Sequence, residues 1–172
     1  MEVYCDKQIY FRNVRDISTM DNVVNIEHTW PQSKFSALFN KDIQKSDMHH
    51  LFPSDSKANG VRGNYEFGEA KGRMLDQDVP GCPISQIIDQ GNGRLFTPPS
   101  PHRGNVARAL FYFSVRYQMP ISADQEATIR KWHTDDPVDA EEEERSEKIA
   151  GHQFDRNPFV DYPQLVNQIK DF

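Results

Sequence analysis

Cysteine is scarce: Cys5 and Cys82 are the only two in 172 residues. No CxxC pair exists, which makes the common structural zinc sites improbable. Two thiols do not assign a compartment, because one disulfide fits export and two buried thiols fit the cytosol. Long apolar runs are missing as well. No stretch approaches the roughly 20 residues that a membrane helix needs, and the opening MEVYCDKQ lacks the apolar core of a signal peptide. The expectation is a chain outside the membrane, either cytosolic or a mature, processed form. Net positive charge is the third absence. A balance of −6 argues at first against nucleic acid as a partner. Its distribution weakens that argument: Asp135 to Glu147 holds eight acidic residues and one arginine, so this run alone carries −7 and the rest nets +1.

Apolar residues make up 37% of the chain, yet eleven phenylalanines and six tyrosines supply large buried surfaces, so a single folded domain over residues 1–172 is expected. VVNIEH reads as a short strand, Val23 to Glu27, closed off by Pro31. A polar segment, Lys34 to Ser46, leads to DMHHLF, a second strand ending at Pro53. Ser54 or Asp55 then N-caps a short helix over SDSKANGVRGNY. Residues Phe67 to Pro101 read as short strands and turns, being rich in Gly and Pro. From Gly104 the pattern is helical. Val106, Leu110, Phe113 and Tyr117 share a face before Pro120; Ser122 and Gln125 form a capping box; Pro137 opens a helix that Gly151 stops; Asp161 caps a last one. A mostly non-helical first half and a helical second half make an α+β fold. The acidic run reads as a solvated helix face, with Glu141–Arg145 and Glu144–Lys148 paired four apart.

The order strand, loop, strand, helix has a chemical consequence. A hairpin can bring Glu27-His28, at the end of the first strand, against the helix after the second, where Asn59 and Arg62 share a face. A carboxylate and an amide oxygen are hard donors suited to Mg²⁺, and a neutral imidazole beside them can take a proton from water. That set suits phosphodiester hydrolysis. Adjacent strand residues point to opposite faces, so the pair must lie where the strand ends, twists or bulges. A metal-free reading stands beside it, in which these histidines simply pack. No HExxH or other zinc spacing occurs.

Several motifs together carry a resemblance: EHTWPQS, SDMHHLFPSDSKANGVRGNYEFG, PPSPHRGNVARALFYFSVRY, Trp132 with DPV, and RNPFVDYP. In this order, from about Val23 to Pro163, they resemble the endonuclease I family of secreted or periplasmic non-specific nucleases, members of the ββα-metal (His-Me finger) superfamily. The N-terminus matches poorly. The resemblance implies a ββα-metal finger at about 23–66 with a mainly helical second half. It implies His28 as general base and Glu27 and Asn59 as ligands to Mg²⁺, with Mn²⁺ or Ca²⁺ able to take its place. His49, His50, Arg62 and Asn64 are further candidates to orient the metal ligands, hold the local backbone or contact substrate; packing is the first reading for the two histidines. The family's basic residue near the scissile phosphate has no assignable match among Lys34, Lys41 and Lys45. Trp30 and Trp132 read as core; Arg103 and Arg108 are candidates for phosphate contact or for capping.

The resulting expectation is a monomeric, Mg²⁺-dependent endonuclease, largely indifferent to sequence, that contacts the backbone of DNA, RNA being undecided, and leaves 5′ phosphates. Secretion or the periplasm follows from the resemblance, with the cytoplasm kept as the alternative. Two rivals are a zinc-dependent hydrolase of small substrates using the histidines, and an inactive nucleic-acid-binding module of the same fold.

Overall fold

The computed structural model describes residues 2–5, 7–8, 23–69, 71–90 and 93–172, so most of the mixed segment at 1–22, and residues 70 and 91–92, lie outside the described residues. Its elements run β1 (Val24–His28), α1 (Lys41–Ser46), β2 (Leu51–Asp55), α2 (Ser56–Arg62), β3 (Glu66–Phe67), β4 (Arg73–Met74), β5 (Gln86–Gln90), β6 (Gly93–Thr97), α3 (Arg103–Tyr117), α4 (Ala123–Asp135), α5 (Ala140–Gln153) and α6 (Pro158–Asp161). The α+β class expected from the sequence is what the structure has. Contacts divide the chain into two compact units, each made of two segments: Met1–Glu27 with Phe52–Ser100, and His28–Leu51 with Pro101–Phe172.

In the first unit, β1 and β2 pair as a two-stranded sheet. Pro53 lies inside β2 rather than ending it, which an edge position tolerates. The other sheet has the order β3-β6-β5-β4, with β3 parallel to β6 and the remaining pairs antiparallel. Register sets Phe96 opposite both Phe67 and Ile87, and all three are buried. Tyr4, fully buried, packs its ring 4.7 Å from that of Phe96. Cys5 and Cys82 are joined, which decides a question the composition left open. The Glu2 carboxylate accepts from the backbone N–H of Tyr4, Cys5, Lys7 and Asp55, tying the N-terminal turn to β2.

The second unit is built on α3, whose Val106, Ala107, Leu110, Phe111, Phe113 and Tyr117 are all buried. A helix apolar on nearly every side belongs in a core. Phe113 stacks on Trp30 and Phe35, with centroids 5.1 and 5.6 Å away, and so seats the His28–Leu51 segment on α3. Phe111 stacks on Phe172 at 4.3 Å. Both tryptophans are core residues, as expected.

Several boundaries differ from the sequence expectation. The second strand begins only at Leu51; Met48–His50 form a 3₁₀ turn capped by the Asp47 side chain. Ser122 does stand at the N-cap of α4, but no side-chain cap bond forms. α5 begins at Ala140 behind Asp139, whose carboxylate accepts from Glu142 N–H, so Pro137 is outside the helix. Gly151 does not stop it; Phe154 does, in the left-handed conformation (φ 62°). Asn157 caps α6, which Asp161 ends, and the last expected helix is a 3₁₀ helix over Pro163–Gln168 with Tyr162, not Asp161, at its N-cap. The acidic run is only partly solvated: Glu144 pairs with Lys148 on the surface, while Glu142 is buried against Arg108. Local spacing could not distinguish these, since capping depends on which carbonyls and amides tertiary contacts leave unpaired.

Candidate functional site

Within the first unit, Asp55 caps α2 by accepting from the N–H groups of Lys57 and Ala58 at 2.9 and 3.0 Å, and Lys7 holds its other oxygen at 2.8 Å. Gly63, at φ 55°, closes the helix where a side chain would be strained. This seven-residue helix presents Asn59 and Arg62 to β1. The Asn59 carboxamide nitrogen donates to Asn25 Oδ1 at 2.7 Å and to the Ile26 carbonyl at 3.2 Å, which leaves Oδ1 as the atom able to accept or coordinate. These bonds hold Asn59 against β1 at Asn25 and Ile26, while Arg62, three residues on, meets Glu27.

Glu27 is 1% exposed, and Arg62, 2% exposed, sets Nη1 2.9 Å from its Oε1. The arginine's ion-pair partner is therefore Glu27, with the guanidinium also 4.4 Å above the Phe67 ring. Arg62 and Glu27 form a buried ion pair. Burial first, then the Glu27 charge, pushes the Tyr4 hydroxyl well above its ordinary pKa. Asn64 sits exposed in the turn after α2.

Within the second unit, His28 is the last residue of β1 and half-buried. Its Nε2 is 3.1 Å from the Lys45 carbonyl. Only an N–H can meet a carbonyl oxygen, so Nε2 carries the proton and Nδ1 keeps a lone pair. The Gln32 amide nitrogen, a donor, approaches that Nδ1 at 3.4 Å. Lys45 can serve because the last carbonyls of a helix have no partner within it.

His50 is fully buried and donates Nε2–H to the neighbouring carbonyl, Gln44, at 2.8 Å. Its Nδ1 has no hydrogen-bond partner among the described residues, and burial pulls its pKa down to about 4. Its ring meets that of His28 edge-on, 5.4 Å between centroids. His49 is buried too, with Nε2 3.3 Å from Asp155 Oδ1, and burial lowers its pKa. Placed in a strand by the sequence reading, His49 and His50 are instead two buried residues of one 3₁₀ turn. The Nε2 atoms of the three histidines go to three different acceptors, and among the described residues no three His, Cys, Asp or Glu side chains converge as a metal would require. The geometry lends the zinc rival no support.

Lys34, Lys41 and Lys45 are all exposed. Arg108 is 1% exposed and bound to Glu142, with Nε to Oε1 at 2.8 Å, which removes it from phosphate contact. Arg103 lies 5.4 Å over the Trp132 ring. Sequence reasoning passed over Gln32, Gln44 and Asp47. Asp47, 3% exposed, accepts from Tyr112 and Tyr117 hydroxyls at 3.0 and 2.7 Å, from His49 N–H at 3.0 Å and from Gln153 at 2.9 Å. An aspartate immediately ahead of a short turn was the one available signal, a capping one.

With this geometry in view, comparison with known proteins is informative. The chain is similar to a periplasmic deoxyribonuclease of Aeromonas hydrophila, 34% identical over 126 residues that cover 73% of this chain and 51% of that protein. It is similar to an extracellular ribonuclease of Bacillus amyloliquefaciens, 31% identical over 165 residues covering 84% of this chain and 53% of the other. An extracellular deoxyribonuclease of Aeromonas hydrophila is 32% identical over 117 residues, 68% of this chain and 49% of that protein. The chain thus spans about half the length of these relatives. The Endonuclease I family model matches residues 1–164, beginning well before the Val23 at which the motifs first become recognisable. The chain belongs to the Endonuclease I family.

Proposed function

We propose that this chain is a Mg²⁺-dependent, largely sequence-independent endonuclease that hydrolyses phosphodiester bonds of DNA, and of RNA as a second substrate class, leaving 5′-phosphate ends. The order β1, loop, β2, α2 is read as a ββα-metal finger, and both units together as one monomeric nuclease domain. The observation that carries the reading is the 3.1 Å contact of His28 Nε2 with the Lys45 carbonyl: with an Nε2–H spent there, Nδ1 is the nitrogen able to take a proton from an attacking water. The donor set fits the ion. Glu27 offers a buried carboxylate, one oxygen of which faces the Arg62 guanidinium at 2.9 Å, and Asn59 an amide oxygen left over from its nitrogen's two bonds. These two would hold Mg²⁺, which keeps several waters and so needs few protein ligands. When bound, the ion supplies positive charge against the phosphate and the leaving 3′ oxygen. Contacts to the sugar-phosphate backbone carry no sequence information, whence the low specificity. Relatives named deoxyribonuclease and ribonuclease support nucleic acid as substrate, and their periplasmic or extracellular names, with the Cys5–Cys82 bond, support an oxidising compartment.

Digestion of supercoiled plasmid with Mg²⁺, with and without EDTA, beside His28→Ala, tests the reading. EDTA should stop nicking, and the variant should cut about a hundredfold to ten-thousandfold more slowly while binding DNA as the parent does. An active His28→Ala removes the base assignment. Glu27→Ala and Asn59→Ala should raise the Mg²⁺ concentration needed; superimposable titrations would remove both as ligands.

A further inference from the structure

The carbonyls that receive the two imidazole protons are consecutive, Gln44 for His50 and Lys45 for His28, at the end of a six-residue helix. So short a helix has little stability of its own and must be held from outside. One side chain does most of this. Gln44 is fully buried; its Oε1 accepts from Ser36 N–H at 2.8 Å, and its Nε2 lies 3.0 Å from the carbonyls of Ser36 and Phe39 and 3.4 Å from that of Asn40. Thus the residue whose own carbonyl holds His50, and whose neighbour's holds His28, is fastened to the loop that enters the helix. At the entrance Asn40 Oδ1 accepts from Asp42 and Ile43 N–H at 2.7 and 3.4 Å. At the exit Asp47 is held by two tyrosine hydroxyls and Gln153.

We infer that Gln44 is a positioning residue for the reaction: by pinning α1 to the Ser36–Asn40 loop, its side-chain amide aims the Lys45 carbonyl at His28 and so fixes Nδ1 as the basic nitrogen. This deepens the proposed nuclease reading and rests on it for its catalytic consequence. A buried glutamine that only fills space would be replaceable by an apolar side chain of its shape. Gln44 instead satisfies one N–H and the neighbouring carbonyls of the irregular Ser36–Asn40 loop, and buried groups of this kind need a partner. Displacing a base by a fraction of an ångström disturbs proton transfer far more than substrate affinity.

The test is Gln44→Met, which keeps the volume and removes every bond, read in two ways on the full chain. Nitrogen-15 spectra of the imidazoles should show His28 protonated at Nε2 in the parent and a mixture of both tautomers in Gln44→Met. Plasmid cleavage should lose roughly tenfold to hundredfold in kcat with KM within about twofold of the parent. A folded Gln44→Met with the parent's His28 tautomer and kcat overturns the inference. Should that variant fail to fold, Asn40→Ala loosens the same helix from an exposed position. It should mix the tautomers and lower kcat severalfold, and the parent's spectrum and rate in Asn40→Ala overturn the inference equally. Because the spectrum does not depend on activity, an active His28→Ala alongside a tautomer change in Gln44→Met would sink the base assignment and leave the positioning role standing.

Discussion

His28 shows what a single side chain owes to its neighbours. An isolated imidazole offers either nitrogen; the Lys45 carbonyl removes the choice, and Gln32 faces the nitrogen that remains. Glu27 is the complementary case, a buried carboxylate opposed by one guanidinium. Arg62→Met should therefore be costly, by roughly 3–5 kcal/mol, since it strands a buried charge. If Glu27 and Asn59 are metal ligands, Mg²⁺ should restore part of the lost stability by binding only the folded chain. Melting temperatures of the variant with and without Mg²⁺ read this, and no Mg²⁺-dependent gain counts against the ligand assignment. Glu27, His28 and Asn59 were legible as candidates because their chemistry is intrinsic to residue type. Gln44 and Asp47 were not, because a buried glutamine or aspartate looks in sequence like any surface polar residue.

At the scale of elements, two glycines on helices make opposite demands. Gly151 lies exposed within α5, and a Cβ there would meet nothing within 4 Å. Gly151→Ala should stabilise the protein by up to about 1 kcal/mol, through the entropy the unfolded chain no longer has to lose. Gly104 begins α3 with its N–H on Asp136 Oδ2 at 2.7 Å, and a Cβ would stand 2.0 Å from the Asp136 carbonyl oxygen. Gly104→Ala should therefore destabilise. Paired denaturant titrations decide both signs, and a less stable Gly151→Ala would show that α5 needs its glycine. Such packing is why helix ends were less legible than helix existence. The apolar spacing of α3 shows in its own residues, but what Gly104 touches is thirty-two positions away.

For the whole molecule, buried histidines set the response to acid. Burial pulls His50 down to about 4 and, with the Arg145 and Arg108 charges adding to it, His102 to about 3, against an ordinary 6.5. As pH falls below 6.5 the unfolded chain takes up protons that the folded one refuses, so stability is greatest above 6.5 and is lost toward 4 and 3. The loss between pH 7 and pH 5 should be on the order of 2 kcal/mol per histidine, seen as a falling denaturant midpoint; a midpoint that rises on acidification refutes the burial argument. Reducing the Cys5–Cys82 bond, which spans 77 positions, should cost about 4 kcal/mol on the chain-entropy account. DNA affinity should fall steeply with salt, because the expected contacts are to phosphates; a flat dependence would leave the duplex held by something else.

What the sequence determined by itself was whatever residue chemistry and short-range periodicity carry: an α+β class, the helical second half, two tryptophans placed in the core, and an acid, an amide and an imidazole as candidates for a metal-assisted hydrolase. Tertiary structure alone decided which nitrogen of His28 meets a backbone carbonyl, which acid faces Arg62, that the cysteines are joined, and where α5 ends. Each of these turns on a partner brought from a distance along the chain or on a backbone carbonyl, and a carbonyl looks the same in every residue until the fold aims it.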